Sequence, residues 1–287
     1  MINMYKSFVI ILLLISAGNL TAQGNNMTDA LSRMESAISN SKDEFSMRDN
    51  YFLGRTVAAQ ILARYSLYTE KPVLIDYLNL ICKALAINSP APEWYSGYHV
   101  MILDAPELNA FSTPGGHIFV TRGLISAVSS EDMLAAVIAH ELAHIQLNHG
   151  TAEIKNARLI QYLGNEQQRI SQSVPLEIQR QVFTEIVDEI VQSLFTKGYS
   201  QLQEFEADSN AYNLLVSAGY NDRSLIELLR ILESESQNQI GSLNSTHPLP
   251  VQRIANLQKV MNANRFANNS MSVRKNRFDR IMERNAN

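Results

Sequence analysis

Ser129-Ser-Glu-Asp-Met-Leu-Ala-Ala-Val-Ile-Ala-His140-Glu141-Leu-Ala-His144-Ile-Gln-Leu-Asn-His149-Gly150 is the stretch on which the fold turns. Ser129 and Ser130 offer N-caps, Glu131 and Asp132 suit the positive end of a helix dipole, and His149-Gly150 supplies a basic last turn followed by a stop. The pattern predicts one helix of about 18 residues. His140 and His144 lie four apart and therefore on one face, where two imidazole nitrogens can reach one ion at about 2.0–2.1 Å. Glu141 stands beside the pair, where a base can take a proton from water that a metal has acidified.

Two histidines do not complete a catalytic zinc site, which normally has three protein ligands and one exchangeable position. Glu204-Phe-Glu-Ala-Asp208, on a second predicted helix ending at Gly219, supplies the third. Glu204 and Asp208 share a face, so Glu204 can ligate while Asp208 accepts the other N–H of a ligating histidine and fixes its tautomer. Glu206 is the rival ligand, but it points away from Asp208 and its own i+4 neighbour is Asn210, a poorer anionic acceptor. A structural zinc domain is disfavoured, because structural sites usually close the fourth position.

Working outward, residues 98–103 and 117–121 read as strands separated by turn residues that include Pro106, Pro114, Gly115 and Gly116. Helical spacing marks residues 51–68 and 72–86, two further helices within 151–200, then 202–217, 223–232 and 251–260. The fold class is α+β: mostly helical, with a small antiparallel sheet. The apolar stripe within 175–197 needs burial and could also form a lid. Residues 274–284 read as a frayed helix or flexible end of a basic tail, 263–287.

At the N-terminus, Lys6, the eight apolar residues Phe8–Ile15 and Leu20-Thr21-Ala22 read as a cleavable signal over residues 1–22. A polar segment, 23–50, follows, and the main domain is expected over 51–262. The apolar run falls well short of the roughly 20 residues that span a bilayer, so a periplasmic or otherwise exported protein without a transmembrane segment is expected. The net charge of −4 gives no electrostatic reason for a nucleic-acid partner. Cys82 is the only cysteine and reads as a buried apolar residue.

Four segments together resemble the M48 peptidases, a family of gluzincin zinc metalloendopeptidases: Asn109–Ile125 (NAFSTPGGHIFVTRGLI), His140–His144 (HELAH), Glu204–Asp208 (EFEAD) and His247–Arg253 (HPLPVQR). The resemblance covers roughly residues 50–260 in the family's order. It implies a zincin-like fold, one Zn2+ on His140, His144 and Glu204, and Glu141 as general base.

It also implies that Asn109, Ala110, Phe111, Pro114, Gly115, Gly116 and His117 form an edge where an extended polypeptide substrate adds as a strand. His247 matches a family histidine that can approach the zinc, restrain activity or steady the transition state. It precedes Pro248, which biases it to an extended loop; a solvent-facing turn histidine is the alternative. Arg253 could pair with a site carboxylate or simply face water. His149 reads as a surface residue matched to the helix dipole.

By family analogy the substrates are unfolded or misassembled envelope proteins, with possible envelope-protein partners. The rival reading is a chaperone-like assembly factor using the same edge strand with latent peptidase activity. The chain lacks the transmembrane helices and TPR-type repeats of some relatives, so a minimal exported form is the nearest architecture.

Overall fold

The computed structural model describes residues 47–152, 198–235, 247, 250–263 and 271–283, with scattered positions between 184 and 194. The expected signal and nearly all of the polar segment lie outside these residues. Helix α1 (Met47–Leu62) and α2 (Pro72–Ile87) precede strands β1 (His99–Leu103), β2 (Ala110–Ser112) and β3 (His117–Thr121). Then come α3 (Arg122–Ala127), α4 (Glu131–Gln146), α5 (His149–Ala152), α6 (Gln201–Ser217), α7 (Ser224–Glu235), α8 (Pro250–Ala263) and α9 (Met271–Glu283).

Helix α4 is the axis of the molecule. Ser130 caps it by accepting from the Met133 N–H, and every residue from Glu131 to Ile145 is buried. Such a helix must be covered on all sides. It packs against α2, α6, α7, α9 and the sheet, and its tightest partner is α6. Ala135, Ala139 and Ala143 on α4, with Ala207 and Ala211 on α6, are fully buried, so backbones can approach where side chains are small.

Helix α6 is fixed at both ends. Ser200 and Gln203 form a capping box, and Gly219, at φ +77°, ends the helix with the Gly219 N–H on Val216 O and the Tyr220 N–H on Leu215 O. That closure places Glu204 one turn inside the helix, facing α4.

The sheet has the order β1-β3-β2 and is mixed. β1 runs parallel to β3, with His99 opposite His117, while β2 pairs with β3 antiparallel, with Phe111 opposite Phe119. The expected antiparallel sheet is corrected to this arrangement: the short β2 intervenes in sequence, so the chain re-enters beside β1 in the same direction. β3 is therefore central, and β2 is an edge. The Pro114-Gly115-Gly116 turn joins them, with Gly116 at φ +91° and so close to Gly97 O that a Cβ would lie 2.5 Å from it.

Two cores flank this frame. The larger surrounds α4, and the smaller joins Leu53, Val57 and Ile61 of α1 to Phe111 and Phe119 of the sheet. Val187, Ile190, Val191 and Leu194 are buried in the smaller core, so the described part of the 175–197 stripe packs as core. The residues expected to form a frayed tail include α9, which docks on α4. Arg274 pairs with Asp132 at 2.9 Å, Arg277 pairs with the fully buried Glu131, and Phe278 is buried. No helix among the described residues is long and apolar enough to cross a membrane.

Candidate metal centre

The axial helix delivers His140, Glu141 and His144, and α6 delivers Glu204 and Asp208, all of them buried. His140 Nε2 and His144 Nε2 face each other at 3.0 Å. The Glu204 carboxylate lies 3.5 Å from each, through Oε2 and Oε1 respectively. The two helices expected to meet therefore do meet, on the face the spacing predicted. His247, on the segment before α8, joins them: its Nδ1 is 2.9 Å from Glu204 Oε1 and its Nε2 is 3.4 Å from Glu141 Oε1.

The donor set fits a divalent cation. Tetrahedral ligands at about 2.0–2.1 Å from one ion stand about 3.3 Å apart, close to the 3.0 and 3.5 Å seen between the triad's atoms. Ligating atoms of His140, His144, Glu204 and His247 all lie within 4.8 Å of one another. Two imidazole lone pairs converging at such range repel unless a proton or a cation lies between them. Glu204 Oε2, buried, has no hydrogen-bond donor among the described residues. Arg253 Nη1 is 2.8 Å from that oxygen but off a hydrogen-bonding axis, so the contact is an ion pair only.

The electrostatics keep the carboxylates ionised. Burial pushes Glu204 up, but Arg253, His247 and His140 outweigh it and hold the carboxyl well below its ordinary range. Asp208 is lowered in the same way, its burial outweighed by Arg253 and His140. Arg253 donates to it from both Nε (2.8 Å) and Nη2 (2.7 Å). Burial and Arg253 push His140 down, but Asp208 and Glu204 prevail and raise it to about 9. A cation would need the neutral imidazole, so binding one here would release that proton. Burial and the neighbouring His140 lower His144 well below its ordinary value.

Asp208 occupies the place expected of it: its Oδ1 is 3.1 Å from His140 Nδ1, on the side of the ring away from His144. Arg253 is not a surface residue but lies beneath the site at 2% exposure, linking Asp208, Glu204 and the His247 carbonyl. His247 is buried rather than exposed in a turn.

His149 requires correction. Instead of facing solvent it is buried, with Nδ1 2.9 Å from His144 Nδ1. The predicted helix ends early, at Gln146, and Asn148 takes a left-handed φ of 56°, which swings His149 back toward the axis. Tyr199, which carried no sequence signal, stacks on the His144 ring at 4.0 Å between centroids.

The residues expected at the substrate edge divide. Asn109 is buried and spends its Oδ1 on the Ala110 N–H, and Phe111 is packed in the smaller core. The Pro114 carbonyl accepts from Trp94 Nε1 at 3.1 Å, and Gly54 and Gly115 approach each other so closely that a Cβ on Gly54 would lie 2.0 Å from the Gly115 nitrogen. His117 opens the central strand, where it meets Thr113 Oγ1 at 3.0 Å. Of these residues, Ala110 and Phe111 lie on the edge strand β2, while His117 lies on the central strand β3.

A buried His-His-Glu set on two helices, with a second carboxylate beside it, fits the kind of metal site found in metal-dependent hydrolases. Peptidase family M48 matches residues 76–261, well over half of the chain, and the chain belongs to that family. It is 26% identical over 167 residues to the mitochondrial metalloendopeptidase OMA1 of Bos taurus, covering 56% of this chain and 32% of the relative. The beta-barrel assembly-enhancing protease of Yersinia pestis is 22% identical over 204 residues, covering 67% and 40%. Metalloprotease LoiP of Escherichia coli is 26% identical over 159 residues, covering 55% and 61%. The chain thus spans from about a third to under two thirds of the length of these relatives.

Proposed function

We propose that the chain is an exported, zinc-dependent endopeptidase that cleaves extended segments of misfolded or misassembled envelope proteins. The observation that carries this reading is the convergence of His140, His144 and Glu204 at 3.0–3.5 Å with Glu141 adjoining. Its envelope setting draws on the resemblance to the beta-barrel assembly-enhancing protease and LoiP, and on the signal-like residues 1–22. The peptidase domain would span 51–262.

His140, His144 and Glu204 would hold the zinc, which supplies Lewis-acid chemistry by polarising a carbonyl and acidifying water. Glu141 is the proton carrier. Its Oε2 is buried without a hydrogen-bond partner among the described residues, so it can accept a proton from attacking water and return it to the leaving nitrogen. Asp208 holds His140 in one tautomer, and Arg253 holds Asp208. His247 touches both Glu141 and Glu204, which suits a residue that restrains the base at rest or steadies charge during turnover.

Substrate would add along β2. The Thr113 and Thr121 N–H groups bond to His117 O and Asn109 O, so by alternation Phe111 faces β3 while the Ala110 carbonyl and the Ser112 N–H and carbonyl turn away from it, the Ala110 N–H being held by Asn109 Oδ1. β2 lies against α4, and recognition through backbone alone suits substrates defined by extension rather than sequence.

The test is metal analysis of the purified protein together with casein digestion, with and without chelator. Bound zinc and chelator-sensitive cleavage are expected. Zinc without chelator-sensitive cleavage would overturn the hydrolytic reading in favour of a binding role on the same edge.

A further inference from the structure

Two residues that the proposed chemistry leaves unused, His149 and Glu206, are joined to the site by distance. His149 Nδ1 is 2.9 Å from His144 Nδ1, and His149 Nε2 is 3.2 Å from Glu206 Oε2. We propose that His149 and Glu206 form a positioning relay that fixes the tautomer and ring orientation of His144, as Asp208 and Arg253 do for His140.

His144 presents Nε2 to His140 and Glu204, so as a ligand it carries its proton on Nδ1. The one partner shown for that proton is His149 Nδ1, which must then accept, and this leaves the His149 proton on Nε2. That Nε2–H meets a carboxylate, Glu206, whose side chain is 64% exposed. His149 thus accepts once and donates once, and the chain of bonds ends on a solvent-exposed carboxylate. The two ligating histidines are thereby served by different devices: a buried carboxylate for His140, and a second imidazole with a surface carboxylate for His144.

Local structure is built to hold this geometry. On a continued helix His149 would sit five residues past His144, off its face. The left-handed turn at Asn148 brings it back, and Asn50 Nδ2 donates to Asn148 Oδ1 at 2.8 Å to secure that turn from α1. Gly150 follows directly, and a Cβ there would lie 3.2 Å from Pro114 Cγ. Tyr199 closes the open face of the His144 ring. Glu206 is only two residues from Glu204, so α6 contributes a ligand from its inner face and the end of the relay from its flank.

The inference rests on the zinc reading above, and the experiment separates the two. Zinc dissociation constants are measured by competition with a chromophoric chelator, and the chelated proteins' thermal unfolding reports the fold. His149→Leu removes the acceptor and should weaken zinc binding by about 10–100-fold. His149→Asn, whose Oδ1 can accept from His144, should restore affinity to within about threefold of wild type, a rescue that packing alone does not give. Glu206→Ala, at an exposed position that cannot upset folding, should weaken binding by about threefold to tenfold.

If His149→Leu folds and binds zinc like wild type, or if Leu and Asn lose affinity equally, the relay is wrong. Should the Leu variant not fold, unchanged affinity in Glu206→Ala overturns the proposal by itself. If wild type binds no zinc at all, the metal reading fails instead.

Discussion

Replacing Arg253 by Met should cost the protein a large part of its stability. The side chain is 2% exposed, donates two hydrogen bonds to Asp208 at 2.8 and 2.7 Å, and lies 2.8 Å from Glu204. Methionine keeps much of the volume but leaves two ionised, fully buried carboxylates without the guanidinium that both of them face. Hydrogen bonds to charged groups are worth about 1.5–3 kcal/mol each, so the bidentate pair alone amounts to about 3–6 kcal/mol. Removing one partner of a buried ion pair costs about 3–5 kcal/mol, and the two estimates agree. In a domain of this size that corresponds to a fall in Tm of roughly 6–20 °C. The assay is urea unfolding in chelator, so that metal binding does not contribute, on wild type, Arg253→Met, Asp208→Asn and the double variant. Because Asp208 without its charge no longer needs the guanidinium, the double variant should lose less than the two single losses added. A loss below about 1 kcal/mol for Arg253→Met, or strict additivity, would refute Arg253 as the counter-charge of the site.

Glu141→Gln should retain zinc by metal analysis while casein cleavage falls by at least about 100-fold; loss of both would mean that Glu141 holds the site together rather than moving a proton. Burial, with His99 and Arg55 nearby, pushes His117 down to about 4. Its folded value lies below the unfolded value of roughly 6.5, so the stability it contributes is whole above that pH and is lost as pH falls toward 4. His117→Gln should therefore lessen the drop in unfolding free energy between about pH 7 and about pH 5 by at most about 2 kcal/mol after solvent screening, measured by denaturant titration at the two values. Gly54→Ala would place a Cβ 2.0 Å from the Gly115 backbone nitrogen, and should destabilise by about 1–3 kcal/mol by prising α1 from the Pro-Gly-Gly turn; an unchanged Tm would contradict that packing. Arg277→Met should cost about 3 kcal/mol by leaving Glu131, buried beside the Tyr77 hydroxyl, without its cation, and chemical denaturation measures it.

What the sequence made legible were features fixed by spacing along one helix. His140 and His144, or Glu204 and Asp208, share a face whatever surrounds them, and the cap at Ser130 and the stop at Gly219 act within a few residues. What stayed hidden depended on segments far apart in the chain. Strand direction was one such feature: β1 and β3 run parallel because of the path between them, and alternation within a strand says nothing of its partner's direction. The ending of α4 was another, since the left-handed turn at Asn148 is secured by Asn50, 98 residues away, and without it His149 reads as an ordinary last-turn histidine.

Glu131 and Asp132 show why such errors group around one element. They read as acids matched to a helix dipole, and they do stand in the first turn of α4. They also anchor Arg277 and Arg274, which turns an apparently frayed basic tail into a docked helix. A helix buried on every side has no solvent-facing surface, so each polar group on it must find a partner elsewhere in the chain. The polar residues of α4 are accordingly where local reading was least complete: at one end they hold α9, and at the other they assemble the metal centre. A variant that weakens the N-terminal clamp should therefore loosen the ligand pair as well, because both ride on the same rigid helix.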